Sequence, residues 1–169
     1  MDLNTLNNLS ITDAENAFEK CCGSKTWYQA MAKSRPFSSS ENMYEIADQI
    51  WLHQTDPKDW MEAFTHHPKI GDIDSLKKKF ASTKEWAGNE QAGMNAADLA
   101  TIEALAKGNT DYEQRHGYIF IVCATGKSAA EMLALLEKRL PNDPEEELLH
   151  AMEEQRKITN IRLKKLLTE

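Results

Sequence analysis

The side chains of this 169-residue chain best able to move protons are its five histidines and the carboxylates near them. His66, His67, Asp72 and Asp74 crowd one short stretch, and His53 lies a little upstream. A metal is the first chemistry to test. Zinc sites carry their ligands at recognisable spacings, and no HExxH or comparable pattern occurs, so unpatterned His and Asp revert to surface or helix-capping duties and no metal is expected. His66 has a simple role as a cation near a helix C-terminus, where the dipole favours it.

His67 differs in its setting. It stands where a helical pattern stops, ahead of Pro68, which stiffens the chain, and of a Gly71-Asp72 turn. General acid–base catalysis needs an imidazole held in fixed geometry with a pKa near neutrality, and such a perch supplies the fixed geometry. Taken alone, an ordinary loop histidine is the plainer explanation. Glu90-Gln91 precedes Ala92-Gly93, a small-residue helix end that a ligand could approach closely, although a solvated helix face accounts for the pair equally well. Arg162, between Ile161 and Leu163, lies on a helix that must be partly buried, so its guanidinium either snorkels out or points into a cleft. Gly126-Lys127-Ser128 after an apolar run invites a phosphate loop, but Ile121 stands where that loop needs its first glycine. A glycine turn feeding a Ser128 N-cap is the better reading.

The elements that must position these groups read as helices. Capping boxes over 12–15, 38–41 and 128–131 each open one, the first running to about Cys22. A short helix over 26–33 follows, then one with Met43, Ile46, Ala47 and Ile50 at helical spacing. Asp56-Pro57 starts the next, with Trp60, Met61 and Phe64 on its apolar face, and the restriction before Pro68 ends it near His66. Further helices are expected over 74–81 and 84–91. Asn95 caps one through Leu99, Ile102 and Leu105 that Gly108-Asn109 ends, and 111–116 adds a turn or two. Residues 118–123 have strong β propensity but no partner strand, which leaves an extended core segment or a buried helix. Asp143-Pro144 begins the last helix, with Leu148, Met152, Ile158, Ile161 and Leu166 as candidate core. The expectation is an all-α, single-domain multi-helix bundle over 1–169.

Composition narrows the function. Twenty Lys and Arg against 27 Asp and Glu give a net charge of −7, which disfavours phosphate-driven nucleic-acid binding and an anionic membrane surface. The balance does not exclude a small anionic substrate, because one Arg in a cleft outweighs the global charge locally. Cys21, Cys22 and Cys123 cannot all pair, which suits a reducing compartment. No basic-then-apolar leader opens the sequence and no apolar run nears the roughly 20 residues of a membrane span, so cytoplasmic residence is expected.

Five stretches in order carry a resemblance: HPKIGD (67–72), WAGNEQAGM (86–94), GYIFIVCATGKS (117–128) after Tyr112, LEKRLPND (136–143) and ITNIRLKKLL (158–167). The chain resembles the 2-oxo-4-hydroxy-4-carboxy-5-ureidoimidazoline (OHCU) decarboxylases, which complete urate oxidation to (S)-allantoin. The resemblance implies an all-helical fold, a homodimer, no cofactor and a small-molecule ureido-imidazoline carboxylate as substrate. It also implies His67, Glu90 and Arg162 as catalytic residues. Gln91 and main-chain groups of Phe120, Ile121, Val122 and Cys123 would contact substrate, with Pro68 in the pocket wall. Ala87 stands where the family commonly has a serine, and His116-Gly117-Tyr118 where Phe-Gly-Phe is frequent. Two other functions compete: a non-enzymatic helical partner-binding module using Trp51, Trp60, Met61 and Phe64, and a lyase or hydrolase for a related ureido acid.

Overall fold

The computed structural model describes residues 1–68, 72–80 and 96–168. Among them every regular element is a helix: α1 (Leu3–Asn8), α2 (Ile11–Glu19), α3 (Lys25–Lys33), α4 (Ser40–His53), α5 (Pro57–Thr65), α6 (Ile73–Phe80), α7 (Ala96–His116), α8 (Ala129–Arg139) and α9 (Pro144–Thr168). The all-α expectation holds. The helix expected over 84–91 lies outside the described residues. The chain forms two compact units, Met1–His67 with Ile121–Cys123 and Leu148–Glu169, and Pro68–Phe120 with Ala124–Glu147.

In the first unit, short polar side chains start each helix by accepting otherwise orphaned N–H groups. Two starts differ from expectation. Ser10 rather than Thr12 caps α2, taking the Asp13 N–H at 3.1 Å, and Ser39 rather than Ser38 caps α4, taking the Asn42 N–H at 3.0 Å. Runs of Ser and Thr offer overlapping boxes, and the cap used is the one that turns Ala14 and Phe18, or Met43 and Ala47, into the core. α2 also stops at Glu19, short of Cys22, and the N–H groups of Cys21 and Cys22 both return to the Phe18 carbonyl. α5 follows the sequence reading closely, with a reciprocal Asp56–Asp59 capping box, Pro57 in its first turn and His66 as C-cap.

The core of this unit is aromatic. Phe18 meets the edges of Trp27 and Phe37 at centroid distances of 6.1 Å each, and Leu6, Met31 and Met43 are sealed around them. Each such side chain stabilises the fold by about 1.5–3 kcal/mol relative to exposure. Trp51 is buried with its indole donating to the Met152 carbonyl at 3.1 Å, Phe64 is buried, and the Trp60 indole donates to Thr55 Oγ1 at 2.9 Å. Three of the four residues that an adaptor would use as a docking stripe therefore pack or bond internally, which removes the support for that reading.

The last helix corrects the sequence reading. Leu148, Met152, Ile158, Ile161 and Leu166 are only partly buried, whereas Glu147, Ala151, Gln155, Thr159 and Leu163 are the deepest positions. That spacing of four places one residue per turn along a slowly winding stripe, and three of the five are polar. Counting apolar residues misses such a face, because its polar members are buried only by virtue of partners elsewhere in the chain.

In the second unit, α7 runs unbroken through Gly108-Asn109, where the sequence reading ended a helix. Gly108 serves packing instead: a Cβ there would fall 2.4 Å from Leu136 Cδ2, and Leu136 of α8 is fully buried. The helix actually stops at Gly117, whose φ of +83° favours glycine and whose N–H returns to Glu113. Gly108→Ala is expected to lower stability by about 1 kcal/mol in urea denaturation, since an overpacking cost of about 1–3 kcal/mol outweighs a helix-propensity gain of about 1 kcal/mol. Residues 118–123 form neither helix nor strand. Gly126, at φ +75°, makes the expected turn into the Ser128 cap of α8, which takes the Glu131 N–H at 3.2 Å.

Candidate active site

The end of α5 sets the position of His67. Its N–H closes the helix on the Phe64 carbonyl at 3.2 Å, and Pro68 follows with no N–H to extend it. The half-buried imidazole then reaches α9, where Nε2 lies 2.6 Å from Gln155 Oε1. Gln155 is fully buried, and its amide nitrogen donates one turn further on to Thr159 Oγ1 at 3.1 Å. Gln155 and Thr159 are the residues that sequence reasoning missed. Their only signal was an i,i+4 polar pair in register with Ala151 and Leu163.

Burial holds His67 below the usual histidine pKa; the Gln155 hydrogen bond opposes this, and the charges of Arg162 and His66 reinforce it. The imidazole is therefore neutral at neutral pH, the form that accepts a proton. Burial pushes the Cys22 thiol up to about 11 and Cys21 to about 12, so neither is a ready nucleophile.

Arg162 takes the cleft alternative. It lines an open cavity of about 470 Å³ together with Asn16, Glu19, Lys20 and His66. Among the described residues, one guanidinium nitrogen donates to the Cys21 carbonyl at 3.4 Å and the rest of the donor fork engages no acceptor. His66 is fixed against Gly23, where a Cβ would come within 2.2 Å of the imidazole Cγ. Lys20 and Arg162 against one Glu19 give the cavity a cationic bias suited to a carboxylate.

His67 and Arg162 thus fall in one unit, close enough for the guanidinium to depress the imidazolium. Ile121, Val122 and Cys123 pass through the same unit; Ile121 and Cys123 are buried, and the Cys123 N–H donates to Glu154 Oε1 at 3.3 Å. Pro68, exposed, and Phe120 belong to the second unit, where the Arg139 guanidinium sits 4.6 Å from the Phe120 ring centroid. Glu90, Gln91 and Ala87 lie outside the described residues. Among the described residues, no three His, Cys, Asp or Glu side chains are arranged to hold a metal ion.

The sequence model of the family described as OHCU decarboxylase matches residues 7–164. The chain belongs to the OHCU decarboxylase family. It is 36% identical over 155 residues to the uric acid degradation bifunctional protein TTL of Arabidopsis thaliana, a match covering 92% of this chain and 48% of that protein. The chain thus spans about half the length of that bifunctional relative. It is also 29% identical to the 2-oxo-4-hydroxy-4-carboxy-5-ureidoimidazoline decarboxylase of Amia calva, covering 99% of this chain and 95% of the relative. A crystal structure of OHCU decarboxylase in the presence of (S)-allantoin superposes with a TM-score of 0.73 at 36% identity, covering 90% of this chain and 97% of that one. In decarboxylase terms, the HP motif at the end of α5 and the arginine on α9 are the parts of the expected constellation whose geometry is visible.

Proposed function

We propose that this protein is a cofactor-independent carboxy-lyase that converts OHCU to (S)-allantoin in urate degradation. What carries the reading is a neutral, anchored imidazole and a cleft-facing guanidinium held in one unit of an OHCU decarboxylase-family fold. The substrate's carboxylate leaves a carbon that bears a hydroxyl and adjoins a C=N bond. The C–C bond breaks, CO₂ departs, the electron pair flows into the imine, and a proton then arrives on one face of the ureido-bearing carbon. Because the substrate supplies its own electron sink, the protein has only to hold the carboxylate out of the ring plane, exclude water and move protons.

Arg162 anchors the substrate, Gln91 and the main chain of 120–123 read its ureido and ring amides, and Pro68 walls the pocket. His67, with Glu90, handles the hydroxyl proton and the stereospecific protonation. A main-chain group or water stands in at Ala87 for the hydroxyl common in the family. The 169 residues act as one decarboxylase domain, in a cytoplasmic homodimer.

The deciding experiment feeds freshly generated OHCU, made from urate by urate oxidase, to the protein and follows circular dichroism. Rapid appearance of the (S)-allantoin signal is expected. Racemic product at the spontaneous rate, or a different product from hydrolysis of the ureido group, overturns the proposal.

The acid limb of kcat/KM is expected below pH 6.5, the ordinary histidine value, because burial delays protonation of His67. The same shift makes the unfolded chain bind this proton more readily, so the fold loses stability as pH falls below 6.5. A kcat/KM titration places the limb, and one at or above 6.5 contradicts the lowering of the His67 pKa by burial.

A further inference from the structure

The decarboxylase reading assigns His67 a proton-transfer role but does not say which ring nitrogen performs it. In a neutral imidazole one nitrogen donates and the other accepts, and the tautomer is set by whatever bonds the nitrogen that faces away from the chemistry. Here that group is a carboxamide whose two ends are both committed. The Gln155 amide nitrogen donates to Thr159 Oγ1 at 3.1 Å, so its oxygen is the end presented to His67 Nε2 at 2.6 Å. An amide oxygen only accepts. The hydrogen therefore sits on Nε2. The Thr159 hydroxyl that receives this amide hydrogen is itself buried one turn along α9. Among the described residues, His67 Nδ1 has no hydrogen-bond partner.

Resting on the decarboxylase reading, we propose that Gln155 is a positioning residue: by accepting from Nε2–H it holds His67 in one tautomer and presents Nδ1 as the proton-accepting atom of the site. Thr159 acts behind it by preventing the amide from turning over. Among the described residues, the charged or titratable groups that bear on this imidazole are Arg162 from α9 and His66 from the end of α5. Both oppose protonation, while Gln155 is the neutral group that directs it. A glutamate at 155 would keep the acceptor but add a charge. A methionine would keep the volume and remove the acceptor.

Full-length protein with ¹⁵N-labelled histidine tests this by long-range ¹H–¹⁵N spectra above the His67 pKa, alongside kinetics. The parent is expected to show a protonated, pyrrole-type Nε2 and a pyridine-type Nδ1. Gln155→Met is expected to mix the two tautomers and lower kcat about 10- to 100-fold with KM within a few-fold, a fraction of what a positioned acid–base group contributes. Gln155→Glu should keep the parent tautomer, recover most of kcat and move the acid limb of kcat/KM up by about one pH unit. Thr159→Val frees the amide to rotate and should enrich the Nδ1–H form, which provides a second route should Gln155→Met not fold. A parent imidazole protonated on Nδ1, or tautomer populations and pH profiles untouched in both the Gln155→Met and Thr159→Val proteins, overturns the proposal. The spectra do not depend on turnover. A protein that makes no (S)-allantoin but shows the tautomer change refutes the decarboxylase reading and leaves the Gln155 role standing.

Discussion

His67→Asn is expected to slow (S)-allantoin formation by about 10²- to 10⁴-fold, the usual worth of a positioned acid–base group. The substitution is chosen to isolate that chemistry. The backbone N–H of residue 67 still closes α5 on the Phe64 carbonyl, and the following Pro68 is unchanged, so the helix end keeps its shape. The native imidazole is neutral, so removing it leaves no buried charge unpaired. What asparagine cannot do near pH 7 is accept a proton and give it back. The loss should therefore fall on kcat, with KM and the urea midpoint close to the parent. Stopped circular-dichroism assays on fresh substrate measure the first, and equilibrium unfolding the second. A rate within a few-fold of the parent would remove His67 from the mechanism.

Local rules made much of this legible. Asp56-Pro57 and Pro68 bracket α5 because one supplies an acceptor for orphan N–H groups and the other forbids the helical conformation just before it. That bracket marked His67 as a residue with a fixed backbone. The ordered short motifs pointed to the family, which the match over 7–164 establishes. What stayed hidden depends on partners distant along the chain. Gln155 lies 88 residues from His67, and nothing in its own neighbourhood distinguishes a glutamine bonded to an imidazole from one in water. Gly108 looks like a helix stop, yet Leu136 on the opposing helix is what requires it. The Ser and Thr runs offered several caps, and only core packing chose among them. Polar residues on the deep face of α9 were invisible for the same reason: burial of a polar group is decided by its partner.

Glu147 shows how much rests on such a partner. Breaking its ion pair by Arg139→Met is expected to destabilise the fold by about 3–5 kcal/mol in urea unfolding, the cost typical of stranding a buried charge. Glu147 is fully buried at the start of α9 and accepts from Arg139 Nε at 2.7 Å, Tyr112 Oη at 2.6 Å and Asn142 Nδ2 at 3.0 Å, while Arg139 Nη2 lies 2.6 Å away. Burial and the adjacent carboxylate hold the Tyr112 phenol well above its ordinary range, so it remains a donor. Methionine fills the space of the arginine stem against Phe120 but offers nothing to the carboxylate. The pair as such contributes far less than its disruption costs. Arg139→Met with Glu147→Leu should recover part of the loss, and adding Tyr112→Phe should recover more, because a buried phenol without an acceptor costs about 1–3 kcal/mol by itself. The order of the three urea midpoints is the test. A single Arg139→Met protein within about 1 kcal/mol of the parent would mean that water reaches Glu147, and that the ion pair does not hold the start of α9 against α7 and α8.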